Sequence, residues 1–196
     1  MHSLWEESRL LGLCRKELLR IMKYSFSSDT RNISRADLDI TSEMSIEFFG
    51  MPNDPEQFQA TKENRDYIYS HLRKFLNIIR FGNEIIGYSF MIPCSNNIAD
   101  LFIKKRISEN DLFNRVKEER IDDTNFEAIY LCSSIIRPEH RRKGLALEGF
   151  VKLIKPLMEK RNFKSRFFFW GYTPAGRAAV LKLARVLNVC IEERKD

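Results

Sequence analysis

The segment Ile135-Ile136-Arg137-Pro138-Glu139-His140-Arg141-Arg142-Lys143-Gly144-Leu145-Ala146 decides the reading of this chain. Before it, AIYLCSSII (128 to 136) has the near-continuous apolar character of a strand buried on both faces of a sheet. After it, LALEGFVKLIKPLMEK places Leu147, Phe150, Val151, Ile154 and Leu157 on one helical face, with Pro156 expected to kink or shorten the helix. The segment is therefore a turn from a buried strand into a helix, which is the layout of an anion site. Free amides at a helix start point outward, the macrodipole adds partial positive charge, and Gly144 with the small Ala146 lets a diphosphate approach the backbone. Arg141, Arg142 and Lys143 bring cations to the same mouth.

Downstream, RFFFWGY reads as a second buried strand, and Thr173-Pro174 caps a helix with Ala179, Leu183, Val186 and Leu187 inside. Asn188 ends that helix, and VCIEE closes the chain as a short strand. Upstream, FLNIIRF and EIIGYSFMI flank Gly82-Asn83, a pair able to take positive φ, so residues 75 to 92 form a hairpin. The polar insertion at 95–125 holds a helix that starts at Ser108 with Asp111 three residues on and an apolar Leu112/Phe113/Val116 stripe. Asp54-Pro55 predicts the start of a helix over 55 to 73. EMSIEFFG (43 to 50) is expected as a strand, and SFSSDTRNISRADLD (25 to 39) as a linker or surface loop. The first 24 residues carry Leu4, Leu11, Leu18 and Met22 at helical spacing. The result is an α/β fold with one mixed central β-sheet flanked by helices, an N-terminal helical extension (1–40, packing on the main domain) and a main domain over 41–196.

Composition narrows the function classes. At 196 residues, 43% hydrophobic and 31% charged, the chain is sized for one domain with an appendage and can bury a core. The balance of 33 Lys+Arg against 27 Asp+Glu gives +6, which suits an anionic ligand. The charge is scattered rather than striped, so nucleic acid is not the expected partner. Cys14, Cys94, Cys132 and Cys190 lie far apart, and no metal site or disulfide framework is expected. His2, His71 and His140 do not cluster either. No apolar run approaches a membrane span and MHSLWEESRL lacks a signal-peptide layout, so a soluble, cytoplasmic protein is expected.

The segment is neither a P-loop nor a Rossmann turn. Its R-x-x-G-x-A (Arg141 to Ala146), preceded by a strand ending in I-R-P-E-H, closely resembles the acetyl-CoA-binding motif of the GNAT superfamily of N-acetyltransferases, Q/R-x-x-G-x-G/A after a strand ending in V-x-P. The element order over residues 75 to 190 resembles that family too. The resemblance implies acetyl-CoA as cosubstrate. Ile135, Ile136 and Arg137 would meet the pantetheine arm, the latter two through backbone hydrogen bonds, while Arg141, Arg142, Lys143, Gly144, Leu145 and Ala146 would wrap the pyrophosphate, mainly by amides. It further implies acetyl transfer in a ternary complex to an amine on a small molecule or peptide.

The acceptor side is less defined. Alternation puts Ala128, Tyr130, Cys132 and Ser134 on one face of the strand and Ile129, Leu131, Ser133 and Ile135 on the other. Tyr130 and Cys132 fall where family members place their bases, but a free phenol, with pKa of ~10, is protonated at neutral pH. Glu127, at the strand start, is the preferred base, acting through water. Cys132 is also open to direct acetylation, or to a structural role as a buried thiol. The family pattern A-x-x-x-Y-x-x-x-G-F has no counterpart in AAVLKLARVLNV, and Tyr172 substitutes as the acid. This departure keeps an alternative open, a catalytically weak acyl-CoA-binding or regulatory module on the same fold. The N-terminal helix and the 95–125 insertion suggest a partly covered pocket or a homodimer contact.

Overall fold

A six-stranded sheet in the order β1-β2-β3-β4-β5-β6 organises the chain. The structure, a computed structural model, describes residues 24–30, 32–49, 54–160 and 166–195. Most of the expected N-terminal helix, together with Cys14 and His2, lies outside the described residues. In chain order the elements are β1 (Tyr24–Phe26), α1 (Ser27–Thr30), α2 (Arg35–Phe49), α3 (Lys62–Tyr67), β2 (Leu76–Phe81), β3 (Glu84–Cys94), α4 (Asn96–Ile103), α5 (Glu109–Glu118), β4 (Ala128–Ile136), α6 (Leu145–Lys160), β5 (Arg166–Trp170), α7 (Pro174–Leu187) and β6 (Ile191–Arg194). β1 to β4 pair antiparallel, and β5 and β6 add in parallel. Parallel neighbours need a crossover, and α6 and α7 supply the two. Among the described residues, no helix is long and apolar enough to cross a membrane.

The α/β reading and its mixed sheet hold. The hairpin turns at Gly82 (φ 61), and Thr173, whose side chain accepts from the Gly176 amide, starts α7, which ends at a left-handed Asn188. Ser108 and Asp111 form the reciprocal capping box at the start of α5. Pro156 lies on the exposed side of α6, which continues to Lys160 instead of ending there.

Four expectations are corrected. The stretch 25 to 39 is no linker: residues 25 to 30 belong to β1 and α1 and residues 35 to 39 begin α2, and residues 43 to 49 are helix rather than strand. The Ser34 amide donates to Asp37 Oδ2 (2.9 Å) and the Asp37 amide to Ser34 Oγ (3.2 Å), a capping exchange that launches α2 from a stretch whose composition reads as loop. Thr61, rather than Asp54, starts the next helix, its side chain accepting from the Asn64 amide. Asp54 holds a tight turn, taking the Glu56 amide and Gln57 Nε2 at 3.0 Å each. The insertion contains two helices, α4 and α5, because Ser95 also caps, through the Ile98 amide.

A buried polar junction ties α6 to the sheet. Asn77 donates through Nδ2 to the Gly149 carbonyl (3.1 Å) and accepts on Oδ1 from the Ser28 amide (3.1 Å), while Ser27 Oγ takes the Ile78 amide (2.8 Å). On the opposite face Tyr130, Phe102 and Phe168 form an aromatic group under α4, with Phe113 of α5 buried nearby.

Two irregularities in β4 position the site. Phe90 pairs with Ser133 and Met91 with Leu131, so Cys132 is the extra residue of a β-bulge. The bulge breaks strict alternation. Ser133 reaches Tyr88 on the face of Tyr130 and Cys132, whereas Ser134 bonds Ser89 (2.9 Å) on the α6 side. The expected assignment of Ser133 and Ser134 to faces is thus reversed. In addition, β4 pairs with β5 only over Ala128 to Leu131, so the strands part where the bulge begins.

Beside this opening β3 presses closely on β4. A Cβ at Gly87 would stand 2.4 Å from the Ile135 carbonyl oxygen and 2.7 Å from Ile136 Cδ1. Gly87→Ala is expected to destabilise the fold by about 1–3 kcal/mol through overpacking, read as a Tm several degrees lower; an unchanged Tm would mean that the strands are less tightly apposed.

Candidate active site

The turn leaving β4 is shaped by its backbone. A single 3-10 turn, Pro138–His140, follows the strand, and the chain then takes left-handed conformations at Arg142 (φ 61) and Gly144 (φ 80). An arginine is unfavourable there and a glycine is not. The Glu148 amide donates to the Gly144 carbonyl (3.0 Å), which marks the first bond of α6. The amides just after Gly144 thus begin the helix with no carbonyl one turn earlier to receive them.

The basic side chains play different parts. Arg141 folds back, its Nε donating to the Ile136 carbonyl (2.8 Å) and its guanidinium lying 5.4 Å from the Phe48 ring. Lys143 Nζ donates to Tyr24 OH (2.8 Å), which also contacts His140 Nδ1 (3.1 Å). Arg142 is exposed at the mouth. Arg137 faces away: its amide donates to the Ile86 carbonyl (2.8 Å) and its Nε to that of Ile85 (3.3 Å). Since Arg137 hydrogen-bonds toward β3, alternation turns the main-chain groups of Ile136 and Ser134 to the open side.

A cavity of about 520 Å³ occupies that side, in the size range of a ligand site. Leu131 to Ile136 form one wall, Trp170, Tyr172 and Thr173 the other, and Arg141, Arg142 and Gly144 to Leu147 the end. Arg137 and Lys143 are absent from the lining.

A second, smaller cavity of about 70 Å³ lies on the α2 and α5 side of the sheet. Phe49, Cys132, Ser133, Trp170 and Tyr172 line both, so the two spaces meet at the bulge. The chemistry of the small cavity centres on Glu109, in the first turn of α5 and buried. Its Oε2 accepts from the Phe58 amide (2.7 Å), and its Oε1 accepts from Tyr130 OH (2.8 Å) and Cys132 Sγ (3.5 Å). Burial pushes this carboxyl above the usual 4.5, against the pull of those hydrogen bonds and of the Arg194 charge. Arg194 is buried as well, its guanidinium 4.5 Å from the Phe102 ring and 4.8 Å from that of Trp170.

Burial also raises the Tyr130 phenol and the Cys132 thiol, so both are neutral near pH 7 and serve as donors to Glu109. Tyr88 is pushed up to about 12 by burial. It shares a 2.6 Å hydrogen bond with Ser45 and takes one from Ser133 Oγ (3.4 Å).

Of the residues expected on the acceptor side, Tyr130, Cys132 and Tyr172 line the small cavity. Tyr172 is 49% exposed and packs against Trp170 and Phe49. Glu127 does not join them. It is exposed at the far end of β4, lines neither cavity, and accepts from the Asn96 amide (2.9 Å) at the start of α4. The physical reason is that Ala128 to Leu131 are held between β3 and β5, so the strand opens only beyond them. Glu109 carries no distinguishing signal in the sequence, where it is an acidic residue between Ser108 and Asp111 and an acid complements the helix dipole. Among the described residues, no group of three or more His, Cys, Asp or Glu is placed to hold a metal.

No protein-family profile matches the chain, and no curated protein does. Among solved structures it is similar to the diaminobutyrate acetyltransferase EctA from Paenibacillus lautus, determined in complex with its substrate L-2,4-diaminobutyric acid and coenzyme A. The TM-score is 0.51 at 14% sequence identity, covering 85% of this chain and 78% of that one. At that identity the likeness is one of fold, and the mixed six-stranded sheet with its flanking helices is the fold of an acetyltransferase.

Proposed function

We propose that the protein transfers an acetyl group from acetyl-CoA to a primary amine by direct attack in a ternary complex. The observation that carries this reading is the meeting of two unlike cavities at the Cys132–Ser133 bulge. One is long and ends at the amides of a helix start, while the other is small and holds a buried carboxylate. A thioester bound along the free edge of β4 has its carbonyl at the seam, within reach of an amine in the small cavity. The structurally similar acetyltransferase, which binds coenzyme A and an amine, supports the same reading.

Under this reading the main-chain groups of Ser134 and the amide of Ile136 bond the pantetheine arm, with Ile135 packing beside them. The amides from Gly144 to Leu147 take the pyrophosphate, and Arg142 adds charge at the rim. Arg137 and Lys143 act at one remove, by holding the strand end and the loop. Tyr172 supplies the proton to the departing thiolate. Tyr130 and Cys132 hydrogen-bond the carboxylate of the small cavity, and Glu127 has no part in proton transfer. The acetyltransferase domain takes in the expected 41–196 and extends upstream of it, since β1 is the edge strand of its sheet and α2, which lines the small cavity, begins at Arg35.

Calorimetric titration with CoA tests this directly. Saturable binding is expected, and its absence would sink the reading. A Cβ at Gly144 meets nothing within 4 Å, so a side chain there strains the backbone without a clash in the protein. Gly144→Ala is expected to weaken CoA by about tenfold, from left-handed strain of roughly 1–2 kcal/mol. Gly144→Glu, which puts a negative charge into the phosphate site, is expected to weaken it by more than about a hundredfold. Tyr172→Phe is expected to leave CoA affinity unchanged and lower turnover by about a hundredfold, the usual scale of lost general-acid catalysis. CoA binding with no turnover on any amine would instead mark an acyl-CoA-binding module.

A further inference from the structure

Among the described residues the small cavity has one carboxylate, that of Glu109, and its remaining hydrogen-bonding capacity is specific. An ionised carboxylate offers about four acceptor positions. Glu109 uses one on Oε2 for the Phe58 amide and two on Oε1 for Tyr130 and Cys132, which leaves one on Oε2. Among the described residues, no cation makes an ion pair with it. Arg194, the nearest compensating charge, is stacked between Phe102 and Trp170 and acts at a distance. A buried carboxylate without a contacting cation is a costly arrangement that an incoming ammonium would relieve.

Resting on the acetyltransferase reading above, we propose that Glu109 seats the acceptor's ammonium group and takes its proton, and that the acceptor is a compact monoamine with an uncharged, largely apolar body. The rest of the cavity sets the body. Leu38, Phe58, Ile68, Leu76 and Phe90 supply apolar walls. The other charged lining side chain, Arg65, is already engaged: its Nε bonds Asp39 (2.9 Å) and its Nη1 the Ala60 carbonyl (2.6 Å). The hydroxyls of Thr41, Ser42 and Ser45 donate to main-chain carbonyls. Among the described residues the lining therefore holds no second carboxylate for a polyamine and no uncommitted cation for an amino acid's carboxylate.

The step balances without any further reagent. The acceptor enters as R–NH3+, and one N–H proton passes to Glu109. The freed nitrogen lone pair forms a C–N bond to the thioester carbonyl, and the C–S bond breaks with its electron pair going to sulfur. The sulfur is protonated through Tyr172, which regains a proton from the new amide nitrogen. Glu109 then releases its proton to water.

The groups facing Glu109 are Tyr130 and Cys132 from β4, Tyr88 from β3 and Arg194 from β6. Only Arg194 among them is charged near neutral pH. The base must be ionised to act, so the rate should rise with pH through the raised value of Glu109, along a limb whose midpoint lies above the usual 4.5.

The test is thiol release from acetyl-CoA with propylamine and isobutylamine, compact enough for a cavity of about 70 Å³, against spermidine and L-lysine, alongside CoA calorimetry. The monoamines are expected to give at least about tenfold higher kcat/KM. Glu109→Gln is expected to lose about a hundredfold or more in kcat/KM, to lose the acidic limb, and to keep its CoA affinity. Preference for spermidine or lysine, wild-type rates in Glu109→Gln, or CoA binding with no monoamine turnover would each overturn the proposal. If Glu109→Gln does not fold, the amine panel and the wild-type pH profile still decide it. Loss of CoA binding in the wild type would bring down the acetyltransferase reading itself, whereas turnover indifferent to Glu109 would remove only this inference.

Discussion

Every main-chain amide and carbonyl in a sheet needs a partner, and β4 cannot find all of its partners in β5. Its first four residues pair with β5 and the remainder do not, because the extra residue at Cys132 ends the shared register. The strand stays in place because β3 bonds its other edge along its whole length. One freed carbonyl, that of Ile136, is taken by Arg141 from the loop itself. What remains is a strand edge with hydrogen-bonding capacity, walled by β5 and α7 and ended by a helix start. The larger cavity, the turned Ser133 and the seam with the smaller cavity all follow from that unfinished pairing.

The smaller cavity rests on a second constraint, the cost of burying charge. Glu109 comes from α5, Tyr130 and Cys132 from β4, and Arg194 from the last strand, so four chemically different groups converge from three separated stretches of chain. The aromatic rings of Phe102 and Trp170 hold the guanidinium and, among the described residues, no carboxylate pairs with it. This leaves the carboxylate satisfied by neutral donors and open to one more partner, a different state from that of a closed salt bridge.

The parts legible in the sequence were those coded by neighbours. The buried strands, the hairpin at Gly82, the Thr173 and Ser108 caps and the turn from β4 into α6 each declare themselves within about ten residues. The helix α2 was hidden because Ser34 and Asp37, read by composition, suggest a loop, whereas read by their reciprocal bonds they begin a helix. The bulge has no local signature, and strict alternation without it exchanges the faces of Ser133 and Ser134. Glu127 and Glu109 are the same side chain in two settings. Only the approach of α5 to β4, which depends on residues far apart in sequence, decides which of them is buried and beside the opening.

The junction at Asn77 bears on how the anion loop behaves. Asn77 clamps the Gly149 carbonyl, about one turn into α6, while Ser27 and Ser28 hold Asn77 in turn. The start of α6 is therefore fixed against the sheet's edge rather than resting on apolar contacts that slide. Amides fixed in this way are preorganised: they present their dipoles in a set geometry, so under the proposed function little entropy is lost in ordering them around a ligand. One side-chain amide, one hydroxyl and one main-chain amide near the margin of the sheet thus set the orientation of a helix start about one turn away.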